Sequence, residues 1–530
     1  MDLLLLGSNY FQKALLELGH RAFWAADDPK ADLSYPGGEP SLPKILDSLP
    51  FTPEAVILTD DLGRRVLPSG LEKIEALKVW YAVDSPINYY WHKHYAPLFD
   101  LVLVDQKEHA ARLSALNPAG AHWLPVAVDT ALYQGPPEKK LYDLAFVGVV
   151  NERVRPKRSR VISLLSQKYS LHTAGGRQGA WVFPAQAARL YRQSRFVLNE
   201  NLFPGVTTRM FEAMAAGSAL LSESESSGLE DLFQPGVDLV LYGPDDIFAQ
   251  VDHWLAENEK RENMAVRGRD KVLTAHDIKH RAATMLGLIN ITAGKTGLPE
   301  GGAFYREQGK ALFLTGLRWP AADGLNKVLR AEDDFRRAEY FGSLDSESLF
   351  YSGLIAKFKN DCSRAKTKLT AAAETGSIRA RVGLAWLELE TRSHWPALVH
   401  FRKAAETARI DFPAKFPQGS TLSADQHYVL GQVLEYAGHD LTPGFSRFGL
   451  DVAMWNALEH YITAVKKDPK HLQALSAAGA LLFKYKAYTE AYHFLERAAA
   501  LASRSEELAA AAHEAGRKGY LLVESERMVA

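Results

Sequence analysis

Short apolar runs separated by helix-length amphipathic stretches fill the first 290 residues. Leu3 to Leu6 stops at Gly7-Ser8-Asn9, and Tyr10 to Leu18 then carries helical spacing up to Gly19. The alternation recurs: Ala55 to Leu58 ends at Thr59-Asp60-Asp61, Lys78 to Val83 at Asp84-Ser85-Pro86, and Leu101 to Val104 at Asp105. Continuous apolar strands alternating with helices predict a parallel sheet covered on both faces. Ligands of such sheets sit beyond the carboxyl ends of the strands, which marks Gly7, Asp60, Asp84 and Asp105.

The rhythm breaks at Leu124-Pro-Val-Ala-Val-Asp129, and Gln134-Gly-Pro-Pro-Glu-Lys-Lys140 has the character of a linker. A second series of strands follows, at Leu144 to Val147, Ser170 to Thr173, Phe196 to Leu198, Ala219 to Ser222 and Val237 to Leu241. Two α/β halves, 1–128 and 129–290, are therefore expected, with a ligand cleft between them. Beyond Ile291 the strand signal stops. Small residues then recur at the offsets of helix-turn-helix tetratricopeptide units: Gly309 with Ala321, Gly353 with Ala365, Gly383 with Ala397, Gly431 with Ala457, and Gly479 with Ala491. Roughly five degenerate repeats over 291–530 predict a helical solenoid, with an ordinary helical bundle as the plainer reading. The fold class is thus α/β followed by all-α.

Composition narrows the function. The 530 residues hold 62 Lys+Arg against 63 Asp+Glu, so no excess of cations favours nucleic acid or an anionic membrane surface. The single cysteine, Cys362, cannot form an internal disulfide, and no Cys/His cluster suits zinc. Met1-Asp2 before Leu3 to Leu6 is too short and acidic for a secretory signal, and no apolar run approaches the roughly 20 residues of a membrane span. A soluble cytoplasmic protein is expected.

The most informative segment runs from Arg195 to Gly217. A strand ends at Asn199, Pro204-Gly205 turns, Thr207 or Thr208 supplies an N-cap, and a helix continues to Gly217. Unpaired N–H groups, two hydroxyls and Arg209 in the first turn make a seat for a diphosphate. Glu212, one turn on, suits the hydroxyls of a sugar such as ribose. The loop after Gly148 carries Arg153, Arg155, Lys157, Arg158 and Arg160, either a clamp on phosphates or a solvated basic turn. Arg177, after Gly175-Gly176, is within reach of phosphate or ends a plain turn. Inverting transfer to a hydroxyl needs a base, for which Asp84 leads and His94 follows; Asp-Ser-Pro is equally a helix start. The aromatic run Tyr89 to Tyr95 could stack on a sugar or simply pack.

Taken in order, several signposts resemble the two-Rossmann-domain (GT-B) glycosyltransferases, in particular the spore-maturation-protein-like (CgeB-like) group, over approximately residues 1 to 290. They are Asp84-Ser85-Pro86, Leu124 to Asp129, Phe146-Val-Gly148, Arg195 to Asn199, Arg209-Met-Phe-Glu212, and the closing Glu262 to Gly268 with His276 and Arg281. The resemblance implies that Arg209 contacts the donor diphosphate and Glu212 the donor ribose, with Gly148, Arg158, Arg195, Asn199, Thr207 and Thr208 on the donor side. It implies a nucleotide-sugar cosubstrate, no other cofactor and no required metal, and interdomain packing for His276 and Arg281. The chain departs from the Glu-x7-Glu pattern of many related retaining enzymes, since Pro204 stands eight positions before Glu212. The acceptor is a protein recruited by the repeats or a glycan. An inactive scaffold that binds partners through its repeats and a nucleotide-sugar epimerase are the competing readings.

Overall fold

The computed structural model describes the chain apart from residues 36, 38, 39, 61–65, 118, 119, 176–180, 293–297, 319, 320, 414–420, 441–455 and 523–530. It divides into two compact units: Met1–Tyr89, Phe99–Gly297 and Gly516–Ala530 form the first, Tyr90–Leu98 and Leu298–Ala515 the second.

The first unit holds two parallel sheets. One contains β1 (Asp2–Gly7), β2 (Arg21–Ala26), β3 (Leu33–Ser34), β4 (Ala55–Thr59), β5 (Leu77–Ala82), β6 (Leu101–Val104) and β7 (Ala121–Trp123), in the order β3-β2-β1-β4-β5-β6-β7. The other contains β8 (Tyr142–Val147), β9 (Leu171–Ala174), β10 (Ser194–Asn199), β11 (Ala219–Glu223) and β12 (Val240–Tyr242), in the order β12-β11-β10-β8-β9. The apolar runs became the central strands because helices cover both faces; every residue of β4, β6 and β11 is buried. Strands β2, β3 and β7 are additions to the sequence reading. Arg21-Ala-Phe-Trp-Ala-Ala26 is alanine-rich and opens on an arginine, β3 has two residues, and β7 is short and half-exposed, so none carries a clear apolar signature.

The helix Ile278–Thr292 returns to the first sheet. Its Ile278, Ala282, Met285 and Ile289 enter one core with Leu3, Leu5, Ile57 and Leu103. Arg281 donates to the Pro125 carbonyl at 3.0 Å and to His276 Nδ1 at 3.2 Å, which leaves the His276 Nε2–H to donate to the Leu232 carbonyl at 3.2 Å. Burial and the adjacent Arg281 charge push His276 down to about 4, so the ring is neutral and acts as packing. The chain's last segment also belongs here: Tyr520 is fully buried beside Tyr242, and its carbonyl accepts from Arg160 Nε at 3.2 Å.

The second unit is helical. Its pairs are Gly301–Arg318 with Ala321–Tyr340, Ser346–Phe358 with Cys362–Glu374, Ile378–Glu390 with His394–Thr407, Ala424–Tyr436 with Ala457–Lys467, and Leu472–Lys484 with Tyr488–Leu501. Each pair packs on the next. Gly309, Gly353, Gly383, Gly431 and Gly479 all lie in the first helix of their pair. A Cβ on Gly479 would stand 2.6 Å from Leu495, and one on Gly431 would overlap the Tyr461 ring. The stretch between Gly438 and Ala457 lies mostly outside the described residues. No helix among the described residues is long and apolar enough to cross a membrane.

Close helix crossing at Gly431 makes a direct prediction. Gly431→Ala should cost about 1–3 kcal/mol through overpacking against Tyr461, read as a lowered unfolding midpoint, whereas Gly438→Ala, where a Cβ meets nothing within 4 Å, tests only its left-handed backbone.

Candidate functional site

Strand β10 delivers Asn199 to the carboxyl end of the second sheet, where the side chain has no exposed surface. All its hydrogen-bonding capacity is used. Its amide donates to Asn201 Oδ1 at 2.8 Å and Ser222 Oγ at 3.2 Å, while its Oδ1 accepts from Thr207 Oγ1 at 2.9 Å and Arg209 Nη1 at 3.0 Å. Thr207 is the N-cap residue of the helix Thr208–Ala215, but its hydroxyl is turned to Asn199 and no side chain caps the helix. Unsatisfied N–H groups and the positive dipole end therefore face outward, the arrangement that receives an anion.

Arg209 stands at that end. Its Nε donates to the Val147 carbonyl at 2.9 Å and its guanidinium lies 4.3 Å from the Phe146 ring centre. Only glycine fits at 148: a Cβ there would stand 2.9 Å from Arg209 Nη2, and the residue has φ +149°. Burial, then the nearby positive charge of Arg158, push the Arg209 pKa down, so this cation gains from an incoming anion. Thr208 is exposed in the first turn.

The basic loop resolves into different parts. Arg158 donates to Glu200 Oε2 at 2.7 Å and to the Val149 carbonyl at 3.1 Å. Lys157 meets Glu223 at 2.9 Å and Glu200 at 3.3 Å. Burial raises the Glu223 carboxyl against the pull of Lys157. Arg160 is tied to Tyr520. Arg155 is half-buried and feels the charge of Asp84 in the other half. Glu200 and Glu223, missed by the sequence reading, neutralise the inner cations; Glu200 follows an apolar strand and Glu223 ends one, which is the one signal that could have marked them.

Glu212 is held by hydroxyls. Tyr191 donates to its Oε2 at 3.0 Å, and Tyr133 bonds the same carboxylate, so burial and that negative charge raise both phenols. A carboxylate has further lone pairs, leaving room for a sugar hydroxyl.

The first sheet contributes Asp84, just beyond β5, in a left-handed conformation with φ 54°. Its N–H donates to Asp105 Oδ2 at 2.8 Å. Burial is the main cause that raises the Asp105 carboxyl to about 7, and the adjacent Asp84 charge adds to it while the backbone bonds oppose it. At the carboxyl ends of β1 and β2 lies a cavity of about 510 Å³ lined by Ser8, Asn9, Gln12, Trp24, Asp27 and Tyr35 among others.

The structure thus gathers Gly148, Arg158, Asn199, Thr207, Thr208, Arg209 and Glu212 at one end of the second sheet. Two expectations are corrected. Arg195 pairs with Asp143 at 3.1 Å near the start of β10, about 13 Å along the strand from Asn199, because a residue at a strand's amino end cannot face a ligand at its carboxyl end. His94 falls in the helical unit, with Nδ1 2.9 Å from Glu307 and Nε2 3.5 Å from Glu347, so its ring is held by two carboxylates rather than offered to a substrate. The aromatic run around it packs: Trp91, His92 and Tyr95 are buried. Arg177 lies outside the described residues.

A family model described as glycosyl transferase-like matches residues 152–287, the part that holds this helix end. No curated protein matches the chain. Among solved structures it is similar to sucrose-phosphate synthase from Thermosynechococcus elongatus, with 12% identity, a TM-score of 0.40, and 55% of this chain and 99% of that one covered. HepE from Anabaena, in complex with UDP-glucose, is 11% identical with a TM-score of 0.42 and coverage of 54% and 100%. A glycosyltransferase from Rickettsia africae is 10% identical with a TM-score of 0.40 and coverage of 56% and 99%.

The His94 cluster predicts an acid response. Burial alone would raise the Glu307 carboxyl, but the His94 hydrogen bond and the Lys310 charge outweigh it and hold it down to about 2. A depressed carboxyl contributes stability that is present above its unfolded value of about 4.3 and is lost as pH falls towards about 2. Glu307→Gln should lower stability at pH 7 and flatten that loss between those limits, measured by thermal unfolding against pH.

Proposed function

We propose that the chain is a nucleotide-sugar-dependent glycosyltransferase of the GT-B class, close to the CgeB-like group, with the donor on the second half and the acceptor on the first. The observation that carries this reading is the uncapped helix end at Thr207 to Arg209, where a half-buried guanidinium is aimed by Asn199 and the Val147 carbonyl. The match of residues 152–287 to a glycosyl transferase-like family supports it. Arg209 and the helix N–H groups take the donor diphosphate, and Glu212, steadied by Tyr191, accepts from the ribose hydroxyls.

The reaction follows from these positions. Asp84 takes the proton of the acceptor hydroxyl as its oxygen bonds the sugar's anomeric carbon. The bond from that carbon to the diphosphate breaks, and its electron pair leaves with the nucleoside diphosphate. The helix end and Arg209 stabilise that developing charge, as oxyanion donors do. This route assigns charge stabilisation to the chain itself, so turnover should survive EDTA. The cavity beside Ser8, Asn9 and Trp24 admits the acceptor, and the helix pairs are tetratricopeptide-type repeats that present a protein acceptor. The protein works in the cytoplasm.

Thermal unfolding against UDP-, GDP-, dTDP- and CMP-sugars tests the donor. One nucleotide family at about 100 times its dissociation constant should add about 2.7 kcal/mol to the domain that binds it, and Arg209→Ala should abolish the shift. Asp84→Asn should keep the shift but lower turnover by about 100-fold or more. A full set of donors without any shift would favour a scaffold instead.

A further inference from the structure

Asp105 and Gln106, just after β6, touch groups of both halves. The Asp105 carboxylate is almost without exposed surface and accepts the Asp84 N–H at 2.8 Å and the Ser85 N–H at 3.5 Å. Its Oδ2 also accepts from the Gln106 amide at 3.2 Å. The same amide nitrogen donates to the Val206 carbonyl at 3.1 Å, and the Val206 N–H donates back to Gln106 Oε1 at 3.2 Å. A side-chain carboxamide here pairs with a backbone peptide as one strand pairs with another. Val206 directly precedes Thr207, the N-cap residue of the helix that seats the anion.

One hydrogen-bonded chain therefore runs from Asp84 through Asp105 and Gln106 to Val206. Space tells the same story, since a Cβ on Gly205 would overlap the Gln106 carboxamide. The close approach of the two halves needs a glycine at 205 and a carboxamide at 106 at once.

We propose that Asp105 and Gln106 are positioning residues that hold the base and the diphosphate seat in register across the cleft, an inference resting on the roles assigned above to Asp84 and to Thr207–Arg209. Neither touches the reacting atoms. The Gln106 bonds exist only while the halves are together, so they act as a clasp on the closed arrangement. Donor binding draws on the second half alone and needs no clasp. Transfer needs both halves and does.

The test uses full-length wild type, Gln106→Leu, Gly205→Ala and the double variant. Amide hydrogen exchange over residues 203–209 reads the clasp without any ligand. Nucleotide release from UDP-, GDP- and dTDP-glucose, with water as acceptor, gives kcat and KM. Faster exchange is expected in every variant, with kcat down by about tenfold or more and the donor KM changed less than about threefold. The double variant should be no worse than the poorer single one, because both substitutions break one contact. Unchanged exchange in Gln106→Leu, an unchanged kcat, or penalties that multiply in the double variant would each overturn the inference. Protection at Val206 lost in the variants, with no nucleotide released even by wild type, would keep the clasp and remove the transferase reading.

Discussion

A buried amide with four partners organises the second half of the first unit. Asn199 can have no exposed surface only because Asn201, Ser222, Thr207 and Arg209 satisfy it. An unpaired amide at that depth would cost several kcal/mol, on the order of 2 to 7. Satisfying it fixes two things together. It draws Thr207 off the helix it would otherwise cap, and it holds Arg209 over Phe146 with its remaining N–H groups free of that bond. The exposed helix end and the adjacent cation are thus consequences of one packing requirement.

The charges around this point are arranged in two layers. Inward, Arg158 and Lys157 are matched by Glu200 and Glu223, so the buried loop is close to neutral. Outward, Arg209 faces another arginine and has its pKa lowered by burial and by that repulsion. At the end of the first sheet the local balance is reversed: Asp84 stands on Asp105, and both are acidic.

Much of this was legible from the chain. Continuous apolar runs ending in Gly, Asn or Asp located the central strands and their carboxyl ends, because a buried parallel strand has little other way to be built. The Pro204-Gly205 turn and the helix from Thr208 were likewise visible. What escaped depends on distant pairing. Arg195 and Arg209 look alike in sequence, yet one meets Asp143 at the far end of the sheet and the other meets Asn199. His94 looked like a base beside Asp84, but its partners Glu307 and Glu347 lie over two hundred residues on. Gln106 carried no signal at all, since a lone glutamine after a strand shows nothing of the peptide it pairs with 100 residues later.

A crystal structure of the full-length protein with a bound nucleoside diphosphate, taken from UDP, GDP and dTDP, tests the assignment of the helix end most directly. Diphosphate oxygens are expected at the N-terminus of the helix Thr208–Ala215 within hydrogen-bond distance of the Arg209 guanidinium, with ribose hydroxyls on Glu212. A nucleotide bound elsewhere, or one bound at this helix end without contact to Arg209, would contradict it.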